Sequence, residues 1–395
     1  LEGQAVERGG THGSGACGTV CDTHPHIHCP LPTPWALQQI DKLRRAFIWA
    51  GDVSVAGGRC RVAWTIACRP KELGGLGISD LRRTKIALRA RWLWCERRRG
   101  MLVPPAEPSV LALFHAATLV MIGNGESVLF WTDRWIRGKS IQFLAPLVFA
   151  AATPRRRRAT VAEALPANAW LGHLTGAASL RMMVEIVALC DLLDQVVLSV
   201  EPDTFSWSLS ESDEYSAASA YGAMFFGSVA LPGAKLVWKT AAPPRVRYFF
   251  WLTLHGRCWT GHRRFRHGLQ DSDICIVCDE HSETMDHILS DCPFSREVWH
   301  RCLDRLHLAH PLQLPHGRAL DWWTTSRKLV PRTLRKGLDS FVLLVGWSLW
   351  KERNARTFRG ESSSASVLFL RIWDDASFWS ASGFRGLGAL LAAAG

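Results

Sequence analysis

Residues 275–292 read CIVCDEHSETMDHILSDC, and the spacing C-x2-C-x8-H-x4-C constrains this chain more than any other feature. A CxxC pair sets two thiolates on one tight turn, at the separation a tetrahedral ion needs. A later His and Cys complete a soft-to-borderline donor set that suits zinc. Cys275, Cys278, His287 and Cys292 are therefore the expected ligands of one Zn2+ ion. Four protein ligands close the coordination shell, so the expected metal is structural and not catalytic. The flanking residues agree with this reading. Thr284 is placed to cap a short helix carrying His287. His287 and Cys292 are five residues apart and would not share a face of one unbroken α-helix. Pro293 disfavours helix at Cys292 and suits the first position of a new helix, predicted over 293–303. Cys292 then sits at a helix N-terminus, where the dipole favours the thiolate.

Other Cys and His groupings are weaker. His281 lies too close to Cys278 for easy closure of the shell. His255, Cys258, His262 and His267 fall on a helical run beside Trp251 and Trp259, where core or solvent positions account for them. Cys17, Cys21, His24, His26, His28 and Cys29 lie in a stretch with no core to hold them. Nine of the 12 Cys are scattered, and no signal peptide opens the chain. A disulfide framework is not expected, and a reducing intracellular compartment, nuclear or cytoplasmic, is.

Charge is segregated around the zinc segment. Residues 239–270 hold Lys239, Arg245, Arg247, Arg257, Arg263, Arg264 and Arg266 and no acid, whereas residues 271–297 hold eight Asp/Glu and only Arg296. Three thiolates and a neutral His around a dication add further negative charge, so the metal loop itself is a poor phosphate ligand. The net charge of +12 nevertheless favours a polyanionic partner. The expectation is that the zinc unit braces the basic segment before it, and that Arg245, Arg247, Arg257, Arg263, Arg264 and Arg266 contact RNA or DNA. Phe265, Trp251 and Trp259 are candidates to stack bases, with core packing as the competing role for each Trp.

The rest of the chain reads as α+β and helix-dominated, a multi-part chain around one small CCHC module. Its 48% hydrophobic and 21% charged residues allow real cores, and its 19 Trp suggest aromatic anchors spread over several of them. The segments are a disordered leader (1–34), a helical and hairpin region (35–150), a linker with a small helix and hairpin (151–231), the zinc module (232–303) and a helical C-terminal region (304–395). Within them, helices are predicted over 35–50 and 79–99 and a short strand over 62–68. The first helix would carry Leu37, Ile40, Phe47 and Ile48 on one face, and the second a basic stripe of Arg82, Lys85 and Arg89. Gly123-Asn124-Gly125 predicts a hairpin between 119–122 and 127–131, and a second hairpin is expected around 203–216. Arg155–Arg158 are expected on an exposed linker, and Pro232-Gly233 marks a boundary. The longest apolar run, Phe341 to Trp350, is about half of the ~20 residues needed to span a bilayer, so no membrane partner is expected. The adjacent acids Asp374-Asp375 lie in a helical stretch without the strand-turn setting of a polymerase metal site, and no GxxxxGK loop is present. A site for chemistry of its own is not expected.

Several stretches together carry a resemblance. One runs from Pro244 with Phe249–Trp251 through Trp259-Thr260, Cys275, Cys278, Glu283-Thr284, His287 and Cys292 to Trp299. The others are RRAFIWAG (44–51), VAWTIACRPKELGGLGISDL (62–81), ALRARWLW (87–94), IGNGESVLFWTDRW (122–135) and LWKERNARTF (349–358). In this order they resemble the reverse-transcriptase zinc-binding region of plant LINE-type (non-LTR) retrotransposon proteins. The resemblance implies a region downstream of a reverse-transcriptase core, which would be its partner in the parent protein. It places the zinc ligands on the same four residues and implies help in handling RNA or target DNA. The first residue is Leu and not Met, and the chain is expected to be a C-terminal, non-catalytic fragment. The competing reading is a zinc-stapled structural or protein-interaction module of a degenerate copy, without nucleic-acid binding.

Overall fold

The computed structural model describes residues 33–54, 60–98, 106–310 and 312–394. The leader, with the cluster from Cys17 to Cys29, lies almost entirely outside the described residues. The described chain is helix-dominated, with one two-stranded sheet. It divides into two compact units, each discontinuous in sequence. One joins the described residues up to Gln39 to Leu81–Phe226, and the other joins Ile40–Asp80 to Gly227 onward.

The helix expected over 35–50 forms as α1 (Pro34–Ala50). Of its expected apolar face, Leu37 is buried while Ile40, Phe47 and Ile48 stay exposed. The strand expected over 62–68 is instead a helical turn, Trp64–Ala67. Its backbone groups are satisfied locally: Cys68 N–H donates to Trp64 O, and Leu76 N–H to Ala67 O.

In the first unit, α2 (Leu81–Arg98) packs on α3 (Pro108–Ala117). Its basic stripe is partly engaged, since Lys85 pairs with Glu107 at 2.6 Å and Arg89 lies over the Trp92 ring. The hairpin expected across Gly123-Asn124-Gly125 does not form. Strand β1 (Thr118–Met121) pairs antiparallel with β2 (Thr204–Trp207), so that Thr118 faces Trp207 and Met121 faces Thr204. The reason is Asp203, just before β2. Its carboxylate accepts the N–H groups of Gly123, Gly125 and Ser127 at 2.7, 2.9 and 3.0 Å, wrapping the loop around one acid. Gly123 is needed there, because a Cβ would lie 2.0 Å from Glu201 O. In the second expected hairpin only β2 is a strand; the chain then turns back with Trp207 N–H on Asp213 O at 2.7 Å. Arg155, Arg156 and Arg158 are exposed as expected, whereas Arg157 lies over Phe149 and donates to Ala150 O and Ala152 O. The remaining helices used here are α4 (Leu180–Leu193) and α5 (Ala217–Ala223). Tryptophans anchor two cores, Trp131 and Trp170 in one and Trp94 and Trp207 in the other.

The second unit holds α6 (Ala234–Lys239), α7 (Pro244–Leu254), α8 (Gly261–Arg266), α9 (Pro293–Arg305), α10 (Ala319–Leu329), α11 (Arg335–Arg359), α12 (Ala365–Ala381) and α13 (Arg385–Ala392). The apolar run noted in the sequence forms the middle of α11, which is buried continuously from Gly337 to Gly346. A helix apolar on every side must be surrounded, and α7, α10, α12 and α13 all pack against it. Asp339 within this run is answered by Arg327 Nε at 2.9 Å and Trp323 Nε1 at 3.0 Å. The second half of α11 extends beyond this core toward the metal loop.

Candidate metal centre

The four predicted ligands converge. The ligand atoms of Cys275, Cys278, His287 and Cys292 all lie within 4.8 Å of one another, and among the described residues no other His/Cys/Asp/Glu group meets this geometry. Cys278 Sγ is 3.4 Å from His287 Nε2. A tetrahedral zinc with ordinary Zn–S and Zn–N bonds would set that edge at about 3.6 Å. Cys275, His287 and Cys292 are buried. The donor set, the edge length and the burial fit one zinc ion in a closed shell.

The turn that carries the two leading cysteines is built by its backbone. Cys275 N–H donates to His281 O and Asp279 N–H to Cys275 O, both at 2.8 Å, while Val277 N–H points at Cys275 Sγ. Asp279 closes the turn in the left-handed region, at φ 55°, a conformation that Asp tolerates better than most residues. His281 contributes its carbonyl while its ring points to solvent beside Glu280.

His287 and Cys292 are brought together by a device that the sequence only half reveals. Residues His287–Asp291 form a single π-helical turn, in which Cys292 N–H donates to His287 O at 2.8 Å. An i to i+5 bond stacks residues five apart, as these two ligands require. Thr284 caps the segment as expected, accepting His287 N–H at 3.0 Å. The wide turn leaves two carbonyls without helical donors. Ile288 O loses Cys292 N–H to the π bond, and Leu289 O faces Pro293, which has no N–H. Two side chains of α9 replace those donors: Ser295 Oγ donates to Ile288 O at 2.7 Å, and Trp299 Nε1 to Leu289 O at 2.9 Å. Cys292 caps α9, as predicted. A hydrogen bond from Cys275 holds the Cys292 thiol below its ordinary range, and the Ser295 and Phe294 N–H groups assist against burial. Cys275 is pushed up to about 12, first by that same bond and then by burial.

Glu283 connects this loop to the rest of the unit. Its Oε1 accepts Arg353 Nε and Nη2 at 2.9 and 2.5 Å and the Gly261 N–H at 2.5 Å. Both charged side chains are at most 3% exposed. Gly261 opens α8, and a Cβ there would meet Glu283 Oε1 at 3.2 Å and its Cβ at 3.1 Å, so glycine gives the carboxylate room. One acid therefore joins the metal loop, the start of α8 and the second half of α11. Sequence reasoning missed this role, although Glu283 and the stretch containing Arg353 were both among the residues carrying the resemblance.

The basic residues distribute unevenly. Arg245 and Arg257 are exposed, and Arg266 is exposed at the end of α8. Arg263 and Arg264 are half-buried on α8. Arg247 is half-buried on α7, with Nη1 3.4 Å from Trp238 O. Among the aromatic candidates, Trp251 is fully buried and donates to Gly74 O, which removes it as a stacking residue. Trp259 and Phe265 are exposed. The alternative His/Cys set does not assemble: His255 Nε2 contacts Gly74 O, Cys258 is buried beside Thr253, and His262 faces Asp273 and Ser282.

Residues 215–299, which include all four ligands, the basic run and Trp299, match the family described as zinc-binding in reverse transcriptase. A protein of Arabidopsis thaliana, named as a candidate ribonuclease H protein, is 27% identical over 302 residues, covering 67% of this chain and 47% of that protein. The chain thus spans about half the length of the curated relative it matches. No solved structure matches at a significant level. The resemblance read from the residues and the expectation of zinc as cofactor are both borne out.

Proposed function

We propose that this zinc-braced region of a reverse-transcriptase-type protein binds RNA or single-stranded DNA, and that it does so without catalysis of its own, beside a polymerase core in the parent protein. The observation that carries the reading is the face around α8. Arg257, Arg263, Arg264 and Arg266 gather there on a stretch without acids, while Glu283, which accepts the Gly261 N–H at the start of α8, is buried and paired with Arg353. A closed metal shell supports a bracing role. Asp374 and Asp375 lie on α12, with Asp375 3.4 Å from Lys351, in keeping with a solvated helix face. No helix among the described residues is long and apolar enough to cross a membrane.

The test is the salt dependence of binding to a labelled 20-nucleotide RNA and its DNA counterpart. Phosphate contacts give a log–log slope of about −0.7 per contact on single strands. Arg263→Gln, Arg264→Gln and Arg266→Gln together should flatten the slope by about 2, and the three Glu replacements should abolish binding with one zinc per chain retained. Binding that ignores salt and these replacements would favour the structural-module reading.

A further inference from the structure

Three exposed aromatic rings border the α8 face: Trp259, Phe265 and, from the last turn of α11, Phe358, which is 66% exposed. Phe358 lies beyond the last buried residue of α11, Ala355, and its ring faces solvent. Two consecutive arginines of α8 each lie over one of these rings. The Arg263 guanidinium is 4.3 Å from the Trp259 centroid, and the Arg264 guanidinium is 5.7 Å from the Phe358 centroid. The His267 and Trp259 rings meet edge to face, with centroids 5.4 Å apart. The basic face is thus interleaved with rings drawn from two segments that are distant in sequence.

We infer that Trp259, Phe265 and Phe358 form one composite stacking platform, and that the strand it takes has unpaired bases. The inference rests on the nucleic-acid reading above and narrows it. A duplex hides its base faces within its own stack and offers exposed ring faces nothing to bind. A single strand presents a π-face at every nucleotide, whatever its sequence. Arginines beside the rings then serve the phosphates and can themselves stack. The buried bond between Glu283 and Arg353 holds the two halves together: Gly261 opens the helix carrying Arg263 and Arg264, and Arg353 lies on α11 five residues before Phe358. Glu283 and Arg353 are positioning residues, and the metal loop that presents Glu283 sets the platform.

The experiment uses the full zinc-loaded chain, fluorescein-labelled oligo(dT) and oligo(U) of 20 nucleotides, and a 20-base-pair hairpin, with anisotropy read across a salt series. Phe358→Ala and Trp259→Ala should each lower single-strand affinity by about five- to 150-fold, the equivalent of losing one stacked base. Hairpin affinity, the salt slope and zinc content should stay as in the parent. Phe358→Trp should bind single strands at least as tightly as the parent, which guards against loss through misfolding. Parental single-strand affinity in both alanine variants, or a parent that prefers the hairpin, would overturn the platform. If the parent bound neither probe with a salt slope, the nucleic-acid reading itself would fall. Salt-dependent binding indifferent to the ring substitutions would remove the platform alone.

Discussion

Replacing Glu283 with Gln tests the joint between the metal loop and its surroundings. The change preserves shape and leaves an amide oxygen for the Gly261 N–H, but it removes the counter-charge from a guanidinium that is 3% exposed. Breaking a buried pair by removing one partner costs about 3–5 kcal/mol. The retained Gly261 bond and the 3.0 Å bond from Arg353 Nη1 to Asn354 Oδ1 offset part of that, so a loss of about 3 kcal/mol is expected, at the lower end of that range. Arg353→Met alone strands the carboxylate and should cost a similar amount. Combining Glu283→Gln with Arg353→Met removes both charges, and the double variant should be more stable than the sum of the singles by about 2 kcal/mol. A chain of two units has no single unfolding free energy. The measurement is therefore native-state hydrogen exchange on peptides spanning 258–290, which reads local opening directly. Exchange unchanged in Glu283→Gln, or strictly additive losses in the double variant, would refute the assignment of Glu283 as the joint.

Two further outcomes follow from single hydrogen bonds. Trp299→Phe keeps the ring in the core but strips Leu289 O of its 2.9 Å donor; an unpaired buried carbonyl costs about 1–3 kcal/mol, so zinc release to a chelator should accelerate roughly tenfold, and an unchanged rate would show that the carbonyl finds another donor. Burial alone would raise the Asp203 carboxyl, yet the N–H groups of Gly123, Gly125 and Ser127 and the Ser127 hydroxyl hold it below its ordinary range. Because the folded value lies below the unfolded one of about 3.9, the stability it lends the 123–127 loop is complete above the unfolded value and is lost as pH falls through the folded value. Hydrogen exchange over 122–128, corrected for its intrinsic pH dependence, should open as pH drops below about 4, and in Asp203→Asn it should already be open at neutral pH.

What the sequence revealed was local, and what it hid was held from a distance. The zinc ligands, the Thr284 cap and the start of α9 were legible because each depends on residues within a turn or two of itself. The π turn was not, although Pro293 gave its cause: the missing N–H frees Leu289 O, and only the fold shows Trp299 reaching back to it. Gly123-Asn124-Gly125 carries a strong hairpin signal, but Asp203, 80 residues from Gly123, claims the loop's N–H groups and pairs β1 with β2 instead. The turn at Trp64–Ala67 shows the same limit, since β-branched and aromatic residues in a short apolar run fit a strand or a buried helical turn equally well. Trp251 and Trp259 are indistinguishable as residues in a string; burial alone assigns one to the core and leaves the other on the surface.

The segregation of charge around the metal has a structural explanation that bears on function. Of the eight acids between 271 and 297, Glu297 pairs with Arg301 along α9, and four others accept from donors around the metal loop. Asp273 accepts Ser282 Oγ at 2.6 Å, Glu283 accepts Arg353 and Gly261, Asp286 accepts the Ala319 N–H at the start of α10, and Asp291 accepts the Gly317 N–H. These carboxylates fasten the metal loop to α8, α10 and α11. The arginines of α8 meet other groups: Arg263 donates to Gly256 O at 3.2 Å and lies over Trp259, and Arg264 lies over Phe358. An acidic metal loop and a basic face can adjoin because the acid that meets α8 most closely in the core, Glu283, is engaged by Arg353. That arrangement supports reading the zinc as a brace and the α8 face as the contact surface.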